Sequence, residues 1–302
     1  DVAVAAGRII AIKPGLGDAD SGFVPTRTID ASGCIVAPGL VDLAVRLREP
    51  GQEHAGMLAS ELAAAVAGGV TSLVCLPDTD PVLDEQGLVE MLKFRSAQLQ
   101  QARLFPLGAL TRQLQGEALT GMVELAESGC IGFSQAEQPI KSTQVLLRAL
   151  QYAATFGYTV WLRPQEPWLG TGVAASGALA TRMGLAGVPV LAETLALMTI
   201  AALMEATGAK VHMDLADAKG DQMYPLTPDL IDAPWPAGNS EYQVDELTFR
   251  IWHTPGHTPG GVVIACGDRL FSGDTLFAGS CGRVDLPGGS AADMQRSLAL
   301  VA

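Results

Sequence analysis

Apolar and polar positions in this chain follow two periods, one near two residues and one near 3.6, and they alternate in blocks. Val2-Ala3-Val4, Arg8 to Ile12 and Thr28-Ile29-Asp30 read as short strands between Gly- and Asp-rich turns. Pro38-Gly39 is a turn signal, because proline fixes φ and glycine accepts conformations closed to other residues. Beyond it Leu40, Val41, Leu43, Val45 and Leu47 form an apolar run with polar residues interleaved, closed by Pro50-Gly51. A strand there delivers Asp42, Ala44, Arg46 and Arg48 to one face. Helical stretches are then predicted over 56–69, 86–102, 117–128 and 143–156. Strands are predicted at 70–76, 104–107, 130–133, 158–162 and 211–213. That rhythm predicts parallel strands with crossover helices, with chemistry at the C-terminal strand ends. Residues 221–239 hold Pro225, Pro228, Pro234 and Pro236 with little apolar periodicity, and read as a junction or long loop. Strands come next at 247–252, 262–265 and 269–277, with a Gly267-Asp268 turn between the last two.

Composition narrows the classes. A length of 302 residues suits one large domain or two smaller ones. Aromatics make up only 5% of residues against 48% apolar, which favours close helix-on-sheet packing. With 19 basic and 32 acidic residues the net charge is −13, which argues against a nucleic-acid partner. Cys34, Cys75, Cys130, Cys266 and Cys281 form no CxxC pair and read as reduced residues of a cytoplasmic protein. No run of about 18 apolar residues and no signal peptide is visible, so no membrane association is expected. The chain starts at Asp1 rather than Met, and an incomplete N-terminus is expected.

Several motifs carry a resemblance. The segment from Ile35 to Gly51 is similar to the first barrel strand of dihydroorotases of the amidohydrolase superfamily, which reads His-x-His-x-Arg-x-Pro-Gly. In that alignment the two metal histidines fall on Ala44 and Arg46, and the substrate-carboxylate arginine falls on Arg48. Leu76 to Pro81 resembles the family's Pro-Asn-Thr-x-Pro loop, with Asp78 in the asparagine's place. Phe133-Ser134-Gln135-Ala136-Glu137 resembles its Phe-Ser-Asp-Asp loop, with Gln135 at the metal-site acid. Val160 to Glu166 resembles the strand that ends in a metal histidine, and Arg163 stands there. Val211-His212-Met213 resembles the next ligand strand, its ligand position falling near Asp214 or Leu215. Arginine is a fixed cation and does not ligate metal, so every ligand position that can be placed is empty. The resemblance implies a barrel without cofactor, with Arg48 and Asp78 as vestigial substrate-binding residues. Arg46 and Arg163 are expected to project toward the old metal position and to repel cations, with Asp42 as the nearest partner in sequence. The pattern resembles non-catalytic dihydroorotase-like paralogues that accompany aspartate carbamoyltransferase.

The C-terminal block resembles a second family. His253-Thr-Pro-Gly-His257-Thr-Pro-Gly followed by Ser272-Gly-Asp274-Thr-Leu-Phe is similar to the metallo-β-lactamase fold, above all its glyoxalase II-like hydrolases. The match implies His257 as a metal ligand and Asp274 as the bridging carboxylate, with zinc as the metal, while His253 is expected to support the turn. That family's Thr-His-x-His-x-Asp-His loop and its last histidine have no counterpart, and the whole chain has four histidines. Weak metal binding is therefore expected at His257 and Asp274.

Together these readings give an α/β chain. A small β-sandwich portion (1–37) precedes an incomplete TIM-like amidohydrolase barrel (38–213) of about six strands, where closure needs eight. A junction (214–239) and a partial metallo-β-lactamase αββα segment (240–302) complete the order. Three functions fit: a dihydroorotase-like pseudoenzyme of pyrimidine biosynthesis that scaffolds aspartate carbamoyltransferase; a metal-dependent thioester hydrolase; or an artificial or misassembled fusion without evolved function. Oligomerisation is expected, because an open barrel leaves edges and apolar faces uncovered.

Overall fold

A computed structural model describes all residues except 18–21, 35, 209–211, 220–227, 232, 236–237, 245–246, 268, 278, 286 and 302. It divides into two compact units, Asp1–Ala37 and Pro38–Ala302. The first holds an antiparallel pair, β1 (Val2–Ala5) and β2 (Arg8–Ile12), turned at Ala6-Gly7, both at positive φ. The Asp1 carboxylate accepts from the Leu16 amide at 2.9 Å. Thr28-Ile29-Asp30, expected as a strand, is not one. The Asp30 carboxylate takes the amide and hydroxyl of Ser32, at 2.9 and 2.6 Å, and this local turn competes with a ladder. Among the described residues the unit contains one two-stranded sheet rather than a sandwich.

The second unit begins with β3 (Gly39–Val45), α1 (Leu58–Ala67), β4 (Val70–Cys75), α2 (Gln86–Leu99) and β5 (Arg103–Pro106). Then come β6 (Gly108–Ala109), α3 (Met122–Glu127), β7 (Phe133–Ser134), α4 (Thr143–Phe156) and β8 (Val160–Trp161). Each helix buries one stripe: Leu58 and Leu62 on α1, Val89, Leu92 and Ser96 on α2, Leu146, Ala149 and Ala153 on α4. Ser142 caps α4 by accepting from the Val145 amide, and Gly157 ends it in the left-handed region. All the strand pairings from β3 to β5 and from β6 to β8 are parallel. Leu107 joins the two sheets: its amide donates to Cys75 O at 2.9 Å, and the next amide, Gly108, donates to Gly132 O at 3.0 Å. One run of chain thus pairs with β4 first and with β7 next. The result is a parallel wall running through two sheets.

Beyond β8 a parallel pair, β9 (Ala174–Ala175) and β10 (Gly187–Val188), flanks α5 (Ala178–Arg182). Then comes α6 (Val190–Thr207), which packs on α4. Its 18 residues are apolar enough, by length and composition, to cross a membrane, although the sequence pattern singles out no such run, being broken by Glu193 and Glu205. β11 (His212–Met213) pairs in parallel with β12 (Ala233–Pro234) and not with the wall, so the sixth barrel strand read at 211–213 is corrected, Val211 lying outside the described residues. The residues just after β11 are drawn elsewhere, as the site geometry shows.

The C-terminal strands are β13 (Ser240–Val244), β14 (Leu247–His253), β15 (Val262–Cys266) and β16 (Arg269–Phe271), an antiparallel meander closed by α7 (Ala291–Val301). β16 pairs in parallel with β3, Arg269 opposite Gly39 and Leu270 opposite Leu40. A seven-stranded mixed sheet results, in the order β13-β14-β15-β16-β3-β4-β5. The second block therefore covers the β3 edge of the parallel wall.

Candidate functional site

Strand direction sets where the chemistry gathers. β14 is antiparallel to β15, which is antiparallel to β16, so β14 and β16 run the same way as β3 and β4. The segments carrying His253, Asp274, Arg46 and Asp78 thus all leave the sheet at the same edge.

At the barrel mouth the charges pair. Arg46 Nε donates to Asp78 Oδ2 at 2.6 Å, and its Nη2 lies 3.0 Å from Glu137 Oε1. Arg163 pairs through Nη1 with Glu137 Oε2. Glu137 thereby bridges two arginines, one on each oxygen. Asp42, expected as their partner, accepts instead from the Ala44 amide at 3.0 Å, a local turn two residues long. Glu137 lies in the loop beyond β7, with Ala136 before it at φ 50°, so strand periodicity does not reach it.

Gln135 is 3% exposed and held at both amide atoms. Its Oε1 accepts from Thr111 Oγ1 at 2.9 Å and its Nε2 donates to Leu114 O at 2.7 Å, while Thr111 Oγ1 accepts from the Gly116 amide. A buried neutral amide held at both ends stabilises the loop and lacks the charge of the acid it replaces. Ala44 is exposed and has no ligating atom. Arg48 donates to Gln52 Oε1 at 3.3 Å, two residues from Arg46 but outside its ion-pair chain.

In the C-terminal loop His257 Nδ1 donates to Arg283 O at 2.8 Å, which orients the ring. That Nε2 stands 3.7 Å from Asp274 Oδ2. Arg283 itself forks onto Asp285 at 2.8 and 2.7 Å, and these hydrogen bonds hold the Asp285 carboxyl down to about 2. His253 Nε2 lies 3.5 Å from Asp214 Oδ2. Asp217 accepts from Thr258 Oγ1 and from the Gly260 amide, both at 2.8 Å. The stretch expected as a junction thus supplies two carboxylates to the His-Thr-Pro-Gly loop. Three-residue spacing on a short turn puts Asp214 and Asp217 side by side, which is the signal the sequence held.

Metal chemistry has two places to be tested. The mouth does not fit: both carboxylates carry guanidinium partners, and Gln135 is a neutral amide held by Thr111 and Leu114. The C-terminal loop offers an oriented imidazole and one carboxylate, but a catalytic zinc takes three protein ligands. Among the described residues no group of three His, Cys, Asp or Glu side chains is placed to hold an ion. The donor set falls short of the metal that the fold implies.

Fold and site define a mixed α/β protein in which an amidohydrolase-like parallel wall continues into a metallo-β-lactamase-like sheet. The Dihydro-orotase-like family model matches residues 33–221, and the Metallo-beta-lactamase superfamily model matches residues 187–302. A dihydroorotase-like protein of Pseudomonas putida is 44% identical over 225 residues, covering 74% of this chain and 52% of that protein. A dihydroorotase of Anaeromyxobacter sp. (strain K) is 42% identical over 188 residues, covering 62% of this chain and 43% of its own length. The L-hydantoinase of Arthrobacter aurescens shares the fold with a TM-score of 0.57 at 20% identity, over 72% of this chain and 49% of that one. The chain belongs to the dihydro-orotase-like family, with a metallo-beta-lactamase domain after it. It spans about half the length of the curated relatives it matches.

Proposed function

We propose that this chain is a dihydroorotase-like pseudoenzyme of pyrimidine biosynthesis, its metal ligands lost, acting in the cytoplasm as an oligomeric scaffold for aspartate carbamoyltransferase. The observation that carries the reading is the Arg46–Asp78 and Arg46–Glu137–Arg163 ion-pair chain at the mouth. Binuclear hydrolysis needs neutral imidazoles and free carboxylates to hold metal and to lower the pKa of its water. Here guanidinium groups occupy the carboxylates. Arg48 and Asp78 are vestiges of a substrate site, and Asp78 serves the ion-pair chain.

A metal-dependent thioester hydrolase at His257 and Asp274 is the second reading. The orientation of His257 favours it, since its Nε2 faces Asp274 at 3.7 Å. Two ligands are too few, so that activity would need donors from another chain.

The test is an assay for dihydroorotate hydrolysis in zinc-supplemented buffer, run beside size-exclusion chromatography with a bacterial aspartate carbamoyltransferase. Background-level turnover together with co-elution is expected. Turnover above background would remove the pseudoenzyme reading, and separate elution would remove the scaffold.

A further inference from the structure

α6 packs on α4 with one side and leaves the other bare. Leu191, Leu195 and Met198 are 53%, 40% and 61% exposed, and Ala202 is exposed with them. Their spacing of four, three and four residues places them in one stripe along the helix. Leu197, Ile200 and Met204, on the other side, are half-buried. No charge interrupts the stripe: Glu193 sits on the far side, Glu205 at the end, and α6 has no other ionisable residue. Alternating four- and three-residue steps make the seam that two helices bury against each other. The apolar face extends at the first turn, where Val190 is exposed. The Glu166 amide donates to Ala192 O there at 2.8 Å, which brings the exposed Trp168 near. At roughly 100 Å² per large side chain, these residues supply most of the roughly 800 Å² that each partner of a specific dimer buries.

From this we infer that the stripe is the interface with a second copy of the chain, the two α6 helices packing antiparallel about a two-fold axis level with Ala196 and Leu197. That axis sets Leu191 against Ala202 of the partner subunit and Leu195 against Met198 of the partner subunit. Large side chains thus meet small ones at the ends of the seam and similar ones in the middle. Each Glu205 falls beside the first turn of the other α6, where Pro189 supplies no side-chain cap and the helix dipole favours a negative charge. A parallel pair would set Glu205 beside Glu205. A lipid surface fits less well, because α6 has no lysine or arginine to meet anionic headgroups and the chain carries a net −13. The inference rests on the oligomeric part of the proposed function and is independent of aspartate carbamoyltransferase.

Sedimentation equilibrium of the full chain tests this, beside flotation on phosphatidylcholine vesicles. A dimer at about 10 μM is expected, with no chain floating. Leu195→Arg should give a monomer with unchanged circular dichroism, since Leu195 is exposed in the single chain. Glu205→Lys should weaken the dimer about tenfold, because both ends lose a favourable charge. Should Leu195→Arg fail to fold, Ala202→Met, which overfills the contact with Leu191, should raise the dissociation constant about tenfold. A dimer that survives these substitutions, or that Glu205→Lys strengthens, would overturn this interface and leave oligomerisation standing. A monomeric wild type would overturn both. Flotation abolished by Leu195→Arg would give the stripe to a membrane and overturn the proposal.

Discussion

Cys75 and Cys130 sit in the packed core, and burial pushes each thiol up to about 12 from an ordinary 9.0, with the Asp78 charge adding to the rise at Cys75. Both are therefore protonated at neutral pH and poor nucleophiles. Iodoacetamide at a pH of about 8 should alkylate the exposed Cys34 and spare Cys75 and Cys130 until denaturant is added, which peptide mapping would read. The direction of the shift sets the sign of the pH dependence. A thiol whose folded-state pKa is raised contributes stability that is complete below 9.0 and is lost as pH climbs toward 12. The thermal midpoint should hold up to pH 9.0 and fall above it, and a Cys75→Ala, Cys130→Ala double variant should fall less steeply. Equal slopes would contradict this. At the same scale, the identities of Ala44, Arg46, Gln135 and Arg163 already argue against a metal. Their partners are not legible in the sequence, since Asp78 and Glu137 come to Arg46 across 32 and 91 residues of chain while Asp42, near in sequence, turns to its own backbone.

Among the elements, the His-Thr-Pro-Gly loop is held by α7. Gly256 sits at φ 154°, and a Cβ there would stand 2.6 Å from Met294 Cα. The Ser290 amide donates to Gly256 O at 2.8 Å and Ser297 Oγ donates to Pro255 O at 2.7 Å. Gly256→Ala should therefore push α7 off the loop and cost about 2 kcal/mol or more, with urea denaturation as the readout. An unchanged midpoint would mean that α7 does not seat on this turn. α1, α2 and α4 are legible because their buried positions recur at three- and four-residue steps. α6 is not, because its apolar residues surround the helix with no polar face to set a phase. The 28–30 segment alternates like a strand, yet Asp30 satisfies Ser32 locally, a competition that periodicity does not register.

The whole molecule turns on the pairing of β16 with β3. Each block is cut short, and the sequence leaves open whether the second covers the first. The answer rests on a two-residue parallel register, Arg269–Gly39 and Leu270–Leu40, between strands some 230 residues apart. Hydrophobic pattern carries no information on such distant pairing, because any apolar strand edge satisfies it equally well. That register brings Arg46 and Asp78 of the mouth and His257 and Asp274 of the C-terminal loop to one edge of the sheet, and among the described residues neither group has the three protein ligands that a catalytic zinc takes. The most direct test of that claim is the zinc content of the purified chain after equilibration with zinc and gel filtration, measured by inductively coupled plasma mass spectrometry. Well under one zinc per chain is expected, unchanged in Arg163→Ala and lowered further only by His257→Ala. A stoichiometric zinc that survives gel filtration in His257→Ala and is lost on changing Asp78 or Glu137 would place a metal in the mouth and contradict it.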